Sequence, residues 1–457
     1  MPKSSQQDRP NILFITTDDQ APWALREAGN ANFLTPNLDL LCGQGTRFNN
    51  FFGASAVCSP CRASIMTSRY GDETGIPDYI PRRDNETGLD PGLPTWPRAL
   101  SEAGYRTSLV GKWHLGGSDR HHPTKFGYDE FVGFRHGAGI SRDPVVEVGG
   151  RRTEMEGFTP DILTDFALDY IQRDESEPFL LSLHYWAPHA NTDNLTPDGD
   201  RTWLPLRGLD WKPFRDMDPV IPNPDYPKLD IPRLVRMTRE YCASVASVDR
   251  NIGRLLGALD QGGKGQDTVV IFTSDNGYNM GHNGIWHKGN GRWILEDNRG
   301  YRPNLYDNSM RVPAIVSWPG KIPEGKAIDH TASHLDWFPT LMEITGTRYE
   351  NMVRGRSILP LLQGRDVEWD NGFFAQYSMW EWNQTGAKLR AYRSGGWKLV
   401  RDFAGTVGSE LYNLEDDPGE TTNLIDAGDT RAERMRTYLE REMLAQMERL
   451  GDEYYPG

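Results

Sequence analysis

The sequence predicts an α/β protein with a large, mostly parallel β-sheet flanked by helices, and a smaller C-terminal antiparallel sheet with one helix. Short apolar runs rich in β-branched residues alternate with helical patterns, as in βαβ units whose strands are buried on both faces. After about Gly364, short strands follow one another in hairpin order. A charged amphipathic helix comes last. We therefore expect two parts, residues 1–365 and 366–457.

The individual elements follow from the spacing of the apolar residues. Buried strands are predicted at 11–16, 107–110, 179–183 and 268–272, and helices at 35–42, 59–68, 93–103, 161–172, 232–259 and 336–344. In the second part, strands are predicted at 372–377, 388–394, 397–402 and 410–413, and a helix at 430–450. Residues 191–232 are rich in Pro, Asp and Trp and show no period. A loop of that length is uncommon unless it is functional or disordered.

Composition and charge exclude several classes of protein. The chain has 457 residues, and its 50 Lys and Arg against 64 Asp and Glu give a net charge of −14. This balance argues against a protein that coats nucleic acid, because duplex binding needs a basic face. No apolar run approaches the roughly 18 residues of a membrane span. Residues 1–10 lack an apolar stretch, so we expect a cytoplasmic protein as the sequence stands, or a periplasmic or secreted one if a signal peptide was removed.

Acidic residues follow two of the predicted strands. Asp18 and Asp19 come directly after the first strand, and Asp275 and Asn276 follow the strand at 268–272. Ligands of parallel α/β sheets bind at the carboxyl ends of the strands. Taken singly, each motif is also explained as a turn or a helix cap. Together they predict a hard divalent cation, because adjacent carboxylates repel one another unless a cation lies between them.

The segment from Cys58 to Arg62 reads Cys-Ser-Pro-Cys-Arg at the start of a predicted helix. Cys58 would lie at the positive end of the helix dipole, where an anion is favoured, and Pro60 suits a first turn. A redox Cys-x-x-Cys pair and two buried structural thiols explain the same residues. The four cysteines of the chain form neither a disulfide framework nor a zinc-type spacing.

Basic side chains also follow predicted strands. Lys112 and His114 end one strand, His184 and His189 end another, and Lys288 lies just beyond Asp275. A lone histidine is more often structural than catalytic. Several cations around a metal, however, are what a sulfo or phosphoryl substrate requires.

Taken together, these segments resemble the type I, formylglycine-dependent sulfatases of the alkaline phosphatase superfamily. The resemblance spans nearly the whole chain, and its order outweighs the redox interpretation of Cys58 and Cys61. It rests on Asp18-Asp19, Cys58-x-Pro60-x-Arg62, the run 104–114, Arg311-Val312-Pro313, and the late motifs at 410–414 and 417–420. The chain departs from the family pattern at Cys61, where the family usually has Ser, Thr or Ala, and at Ser68, where it usually has Gly.

The resemblance implies an alkaline phosphatase-like catalytic domain at 1–365 and a C-terminal subdomain at 366–457. It implies that a formylglycine-generating enzyme converts Cys58 to formylglycine, whose hydrate attacks sulfur. The implied cation is Ca²⁺, with Mg²⁺ as the alternative, and its implied ligands are Asp18, Asp19, Asp275, Asn276 and the modified Cys58. Arg62 and Lys112 would stabilise the hydrate, His114 would take a proton from it, and His189 and Lys288 would bind sulfate and protonate the leaving oxygen.

The expected substrate is a sulfated mono- or oligosaccharide. Sugar rings could stack on Trp203, Trp211, Phe214 and Tyr226 of the long loop, beside Arg201, Arg207, Lys212 and Arg215, although these aromatic residues could equally hold the loop to the body. Two other functions stay open: a phosphonate monoester or phosphodiester hydrolase of the same superfamily, and a non-catalytic glycan-binding protein. No nucleic-acid or membrane partner is expected, and self-association is left open.

Overall fold

The computed structural model describes residues 9–137, 139–197, 199–349, 353–382 and 385–456. The strands are β1 Asn11–Thr17, β2 Thr46–Phe52, β3 Arg106–Lys112, β4 Glu130–Phe134, β5 Val145–Val148, β6 Arg151–Glu154, β7 Phe179–His184, β8 Thr268–Ser274, β9 Asn279–Met280, β10 Ile285–His287, β11 Arg292–Trp293, β12 Ala314–Ser317, β13 Lys326–Ser333, β14 Phe373–Trp382, β15 Thr385–Ser394, β16 Trp397–Asp402 and β17 Glu410–Asn413. The helices are α1 Pro36–Gly43, α2 Cys58–Thr67, α3 Trp96–Glu102, α4 Thr159–Ile171, α5 Gly208–Trp211, α6 Ile231–Gln261, α7 Asp307–Met310, α8 Trp337–Thr345, α9 Leu359–Leu362 and α10 Thr430–Leu450.

The large sheet has ten strands in the order β13-β2-β12-β8-β1-β7-β3-β4-β5-β6. Its centre, β8-β1-β7-β3-β4, is entirely parallel. Strand β12 runs antiparallel to both of its neighbours, and β5 and β6 form an antiparallel edge. The α/β prediction is confirmed. The sheet is mixed, however, and the parallel pairing predicted for most of it is concentrated at the centre.

Helices cover both faces of this sheet, which is why its central strands are almost continuously apolar. Alternate residues of β1 point to opposite faces. Ile12 and Phe14 pack with Trp96 of α3 on one side, while Leu13 and Ile15 pack on the other side with the core that α1, α4 and α6 complete. The central strands are thereby fixed from both sides, and so are the loops at their carboxyl ends.

The C-terminal sheet is antiparallel, in the order β14-β15-β16-β17, and α10 packs against it. Its other face shares a hydrophobic core with Ala56 and Val57, which immediately precede α2. Ion pairs add to this contact: the buried Arg390 of β15 pairs with Asp72 at 2.6 Å, and the buried Lys398 of β16 pairs with Asp307 at 2.8 Å. The small sheet therefore supports the start of α2.

The long loop at 191–232 is held to the body by its aromatic side chains. Trp203 and Phe214 are buried, and Trp211 and Tyr226 are partly buried against the same core, which includes Tyr241 of α6. Trp203 and Phe214 are therefore too buried to stack on a sugar ring, and their alternative role of pinning the loop is confirmed. Sugar stacking by Trp211 and Tyr226 stays a prediction. Among the described residues, no helix is both long and apolar enough to cross a membrane.

Candidate active site

Sheet register brings the predicted strand-end residues to one place. Thr17 of β1 pairs with Ser274 of β8, so that Asp18 and Asp275 follow side by side, and the Asp275 N–H donates to the Thr17 carbonyl at 3.0 Å. Strand β7 lies on the other side of β1, and the next strand in the sheet is β3, which ends at Lys112. Side chains that are far apart in the chain thus share one edge of the sheet.

The four predicted metal ligands form a buried group of oxygen donors. Asp18, Asp19, Asp275 and Asn276 have no exposed surface. Within the described part of the chain, Asp19 Oδ2 and Asp275 Oδ1 are buried without a hydrogen-bond donor. Burial raises the pKa of Asp19 to about 6 and also raises the pKa of Asp275, which repulsion by Asp18 increases further. Unsatisfied carboxylate oxygens of this kind fit a hard divalent cation.

Two lysines face the same carboxylates. The Lys112 ammonium pairs with Asp18, and Lys288 Nζ lies 2.5 Å from Asp19 Oδ1 and 3.3 Å from Asp18 Oδ1. Burial on its own would raise the pKa of Asp18, but Lys112 and Lys288 hold it well below its usual value. With Arg62, three cations balance three carboxylates, so that a bound divalent cation would leave the site positive and suited to an anionic substrate.

Arg62 connects three parts of the site. It lies four residues after Cys58, on the same face of α2. Its Nε donates to Asp275 Oδ2 at 2.8 Å, its Nη1 donates to the Lys112 carbonyl at 2.8 Å, and its Nη2 lies 3.6 Å from Asp18 Oδ2. This one guanidinium therefore sets the position of the α2 N-terminus relative to β1, β3 and β8.

Cys58 is the first residue of α2 and reaches the cavity above these charges. Its thiol and that of Cys61 are both free, and Cys61 Sγ donates to the Ser55 carbonyl at 3.1 Å. Burial raises the pKa of both thiols. A redox pair needs a stabilised thiolate, so the environment of these two cysteines does not favour redox chemistry.

His114 is held with one ring nitrogen available. Its Nε2 lies 2.9 Å from the Ile80 carbonyl, which can only accept, so Nε2 carries the proton. Its Nδ1 is then a lone pair, and it is buried without a partner among the described residues. Burial and Lys112 hold the pKa of His114 well below its usual value, which keeps the ring neutral. His114 can therefore accept a proton in the cavity.

His189 lines the cavity, whereas His184 lies outside it. His184 Nδ1 contacts the Lys112 carbonyl at 3.2 Å in the protein interior. His189 donates from Nδ1 to the Ala190 carbonyl at 2.6 Å, and its Nε2 lies 3.8 Å from Asp19 Oδ2. Burial lowers the pKa of His189 to about 3, so its Nε2 is also a lone pair.

His287 is a further cavity residue, which the sequence interpretation did not assign. Its Nδ1 lies 2.8 Å from Asn290 Oδ1. Asp19, His189 and His287 each offer one donor atom, and these atoms lie within 4.8 Å of one another. This set contains two imidazoles, which suits zinc, and it shares Asp19 with the oxygen ligands above.

A cavity of about 600 Å³ opens over Cys58, Lys112, His114, His189 and Lys288. Five of the six residues predicted to be catalytic thus reach the cavity, and the sixth, Arg62, is buried outside its wall. The wider part of its wall is strongly basic, and only Arg201 of that wall was named from the sequence. The additional wall residues include Arg82, Arg233, Arg292, Arg299, Trp286 and Tyr301, together with the acidic Asp193 and Asp200.

Comparison with known families decides the identity. The family described as Sulfatase matches residues 10–347, well over half of the chain. The chain belongs to the sulfatase family. A second family, described as N-sulphoglucosamine sulphohydrolase, C-terminal, matches residues 297–449. The protein is therefore a sulfuric ester hydrolase.

Individual relatives of this sulfatase are distant but cover most of its length. An N-acetylglucosamine-6-O-sulfatase of Bacteroides thetaiotaomicron is 24% identical and aligns over 93% of this chain and 84% of its own. A choline-sulfatase of Rhizobium meliloti is 28% identical over 92% of this chain and 83% of its own. A solved structure of a protein with its substrate D-glucosamine-2-N,6-O-disulfate has a TM-score of 0.83, at 23% identity over 97% of this chain and 99% of that one. This structural similarity shows that the two proteins share a fold.

Backbone conformation accounts for one departure of this sulfatase from the family pattern. Ser68 ends α2 with a φ of 55°, in the left-handed region that favours glycine. Its hydroxyl donates to the Leu335 carbonyl at 2.6 Å and accepts from the Gly355 N–H at 2.9 Å. These hydrogen bonds help to hold serine at a position where the family usually has glycine.

Proposed function

We propose that this sulfatase hydrolyses the sulfate ester of a sulfated carbohydrate, using formylglycine formed from Cys58 and a calcium ion. The observation that carries the proposal is the position of Cys58 in the wall of a basic cavity, where it shares the cavity with Lys112 and Lys288 and is within electrostatic range of Asp18 and Asp275. Nucleophile, metal ligands and anion-binding cations therefore meet at one point.

The ligand chemistry favours calcium. Asp18, Asp19, Asp275 and Asn276 provide only oxygen donors, and the flexible coordination of Ca²⁺ tolerates a set drawn from two loops. When bound there, the cation would act as a Lewis acid toward a sulfate oxygen. The Asn276 side chain already orients this set, because its Nδ2 donates to Asp19 Oδ1 at 2.8 Å.

The other residues bind the substrate or move protons. As hydrated formylglycine, residue 58 would supply one hydroxyl as the nucleophile and keep the second for the release of sulfate. Lys112 and Lys288 are buried ammonium groups in the cavity that can donate to sulfate oxygens. The lone pair at His114 Nδ1 can take the proton released when the sulfated residue 58 returns to the aldehyde. Burial lowers the pKa of Lys288, but Asp19 and the other anions hold it well above its usual value, so Lys288 carries a proton beside the leaving oxygen.

Burial of the modification motif restricts when maturation can occur. Cys58, Pro60 and Arg62 are all buried, with Cys58 only 4% exposed. A formylglycine-generating enzyme could not reach these residues in the folded chain. We therefore propose that it acts before α2 packs against the sheet.

A carbohydrate substrate is supported by the cavity and by the relatives. Carbohydrate hydroxyls need many directional donors, and the cavity wall offers arginines together with the half-buried ring of Tyr301. One relative that aligns over 93% of this chain is named an N-acetylglucosamine-6-O-sulfatase, and a protein of the same fold was solved with a glucosamine disulfate as its substrate.

The test measures kcat/KM on N-acetylglucosamine 6-sulfate, glucosamine 2-N,6-O-disulfate, choline sulfate, an aryl sulfate and an aryl phosphonate monoester. The proposal predicts that a sulfated sugar is the best of these substrates and that the Cys58→Ala variant turns over none of them. Efficient hydrolysis of the phosphonate with inert sulfates would instead assign the phosphonate hydrolase activity. Tight binding of a sulfated sugar without any turnover by converted enzyme would assign a glycan-binding protein.

A further inference from the structure

We propose that Arg201 and Arg292 form a second anion subsite, so that the substrate carries another sulfate or a carboxylate besides the sulfate that is cleaved. This inference rests on the proposed function and narrows its substrate class to a sugar with two anionic groups. Both arginines line the cavity that contains Cys58.

Three of the five arginines in the wider part of the cavity wall are paired with carboxylates. Arg82 pairs with Asp193 at 2.7 Å, Arg233 pairs with Asp200 at 2.7 Å, and Arg299 pairs with Asp230 at 3.3 Å. The positive charge of each of these arginines is already matched by a carboxylate.

Arg201 and Arg292 differ from these three, because neither forms an ion pair with any carboxylate of the described residues. Arg201 Nη1 donates to the carbonyls of Asn191 and Thr192 at 2.8 and 3.1 Å. Arg292 Nη2 donates to the Tyr301 hydroxyl at 2.7 Å, and its guanidinium lies 4.5 Å from the centre of the Tyr301 ring. These neutral partners hold both side chains in place without cancelling their charge.

The two charges lie near each other and near the reaction centre. Burial lowers the pKa of Arg201, and the positive charge of Arg292 lowers it further. Arg292 pairs across the small sheet with Trp286, the residue before His287. Arg201 donates to the carbonyl of Asn191, two residues after His189, so both arginines stand beside the histidines of the cavity. Two repelling guanidinium groups in a partly desolvated cavity are stabilised most by an anion that bridges them.

The same charges select against other sulfate esters. The two arginines would repel the trimethylammonium group of choline sulfate. A sugar whose only charged group is the cleaved sulfate would leave the two arginines without an anionic partner. A sulfate and a carboxylate both accept the parallel hydrogen bonds of a guanidinium, so either could occupy the subsite.

The test measures dissociation constants by calorimetry in the Cys58→Ala background, where substrates bind without turnover. The ligands are N-acetylglucosamine 6-sulfate with one anion, glucosamine 2-N,6-O-disulfate with two sulfates, and N-acetylglucosamine 6-sulfate linked to a uronic acid, with a sulfate and a carboxylate. Arg201→Gln and Arg292→Gln are compared with Arg215→Gln, which removes an exposed arginine paired with Asp216 on the same loop.

We expect at least one dianionic ligand to bind ten-fold or more tightly than the monosulfate, and each cavity variant to reduce this preference at least five-fold. The Arg215→Gln control should keep this preference within two-fold of its value in the Cys58→Ala protein. The dianion that shows the effect identifies the second group as sulfate or carboxylate. Equal affinity for one and two anions, or a preference that survives both cavity substitutions, would overturn the subsite. If sulfated sugars are turned over but this pattern is absent, only the subsite fails, whereas inert sulfated sugars would refute the proposed function itself.

Discussion

Several single residues of the site occupy backbone conformations that other positions avoid. Asp19, His114 and His287 have φ values of 70°, 58° and 81°, in the left-handed region. For a residue with a side chain this conformation costs of the order of 1 kcal/mol or more, and it persists only where the surrounding structure enforces it. All three side chains face the candidate active site, so the strain coincides with the positions where side-chain direction matters most.

Gly137 provides the space that the His114 ring occupies. A Cβ atom at residue 137 would lie 2.3 Å from Cε1 and 2.4 Å from Nε2 of His114. Gly137→Ala should therefore push the ring away from the Ile80 carbonyl and lower kcat at least ten-fold, with little change in melting temperature. Steady-state kinetics and thermal unfolding check this. The matched control is Gly43→Ala, whose Cβ would meet nothing within 4 Å and which should leave kcat unchanged. An unchanged kcat in Gly137→Ala would contradict the role given to His114.

The oxygen ligands and the imidazole pair lead to different expectations for two metals. Removal of divalent cations by chelation should abolish turnover, and Ca²⁺ should restore it, because Asp18, Asp19, Asp275 and Asn276 suit a hard cation. Zn²⁺ should inhibit, because a zinc ion at His189 and His287 would occupy the substrate cavity. Metal analysis of the active enzyme together with activity titrations checks both statements. Stoichiometric zinc in active enzyme, or full activity after exhaustive chelation, would refute the calcium assignment.

At the scale of elements, β16 and α7 meet at a buried charge cluster. Lys398 pairs with Asp307 at 2.8 Å and with Glu420, whose Oε2 also accepts from the Asp307 N–H at 2.6 Å. Burial raises the pKa of Glu420 to about 7, despite the opposing effect of Lys398. The folded state therefore binds a proton at Glu420 more tightly than the unfolded chain does.

This raised pKa gives a pH-dependent stability with a defined sign. Between about pH 4.5 and pH 7 the unfolded chain releases the Glu420 proton before the folded protein does, so folding stability falls as pH rises through this range. The Glu420→Gln variant has no proton to release at this position. Its free energy of unfolding, relative to that of the wild type, should therefore rise by up to about 3 kcal/mol as the pH increases from about 4.5 to 7. Melting temperatures at pH 5 and pH 8 measure the difference. The control is Glu415→Gln, which replaces an exposed residue paired with Arg431. The difference in melting temperature between this variant and the wild type should be the same at pH 5 and pH 8. A gain in the opposite direction would contradict the account.

Elements and residues with local signals could be predicted from the sequence. The strands β1, β7 and β8 consist mainly of apolar residues, and Asp18 and Asp275 directly follow β1 and β8, so both the sheet and the metal group were accessible to sequence reasoning. Strand β2 was missed because Arg47, Asn49 and Asn50 interrupt its apolar pattern. The Arg201–Arg292 pair could not be predicted, because 90 residues separate its members and only the tertiary structure shows that no described carboxylate pairs with either arginine. The aromatic residues of the long loop were ambiguous in the sequence, since pinning a loop and stacking on a sugar need the same side chains.

In the whole molecule, the C-terminal sheet and the catalytic residues form one structure. The Gln376 N–H of β14 donates to the Ala54 carbonyl at 3.2 Å, and the core beneath β14 contains Ala56 and Val57. The residue that follows them is Cys58, so the small sheet supports the backbone that presents the nucleophile. The family match over 297–449 covers this same region, which includes α7 and the C-terminal sheet.

The proposed hydrolysis of sulfate esters depends on the chemical state of residue 58. The most direct measurement combines mass spectrometry of the peptide containing Cys58 with turnover of the best sulfated sugar, in preparations made with different amounts of formylglycine-generating enzyme. We expect the aldehyde form to be present and turnover to rise in proportion to the fraction converted, with none in fully unconverted protein. Full turnover by protein that retains the Cys58 thiol, or that carries an obligatory Cys58–Cys61 disulfide, would contradict the central claim.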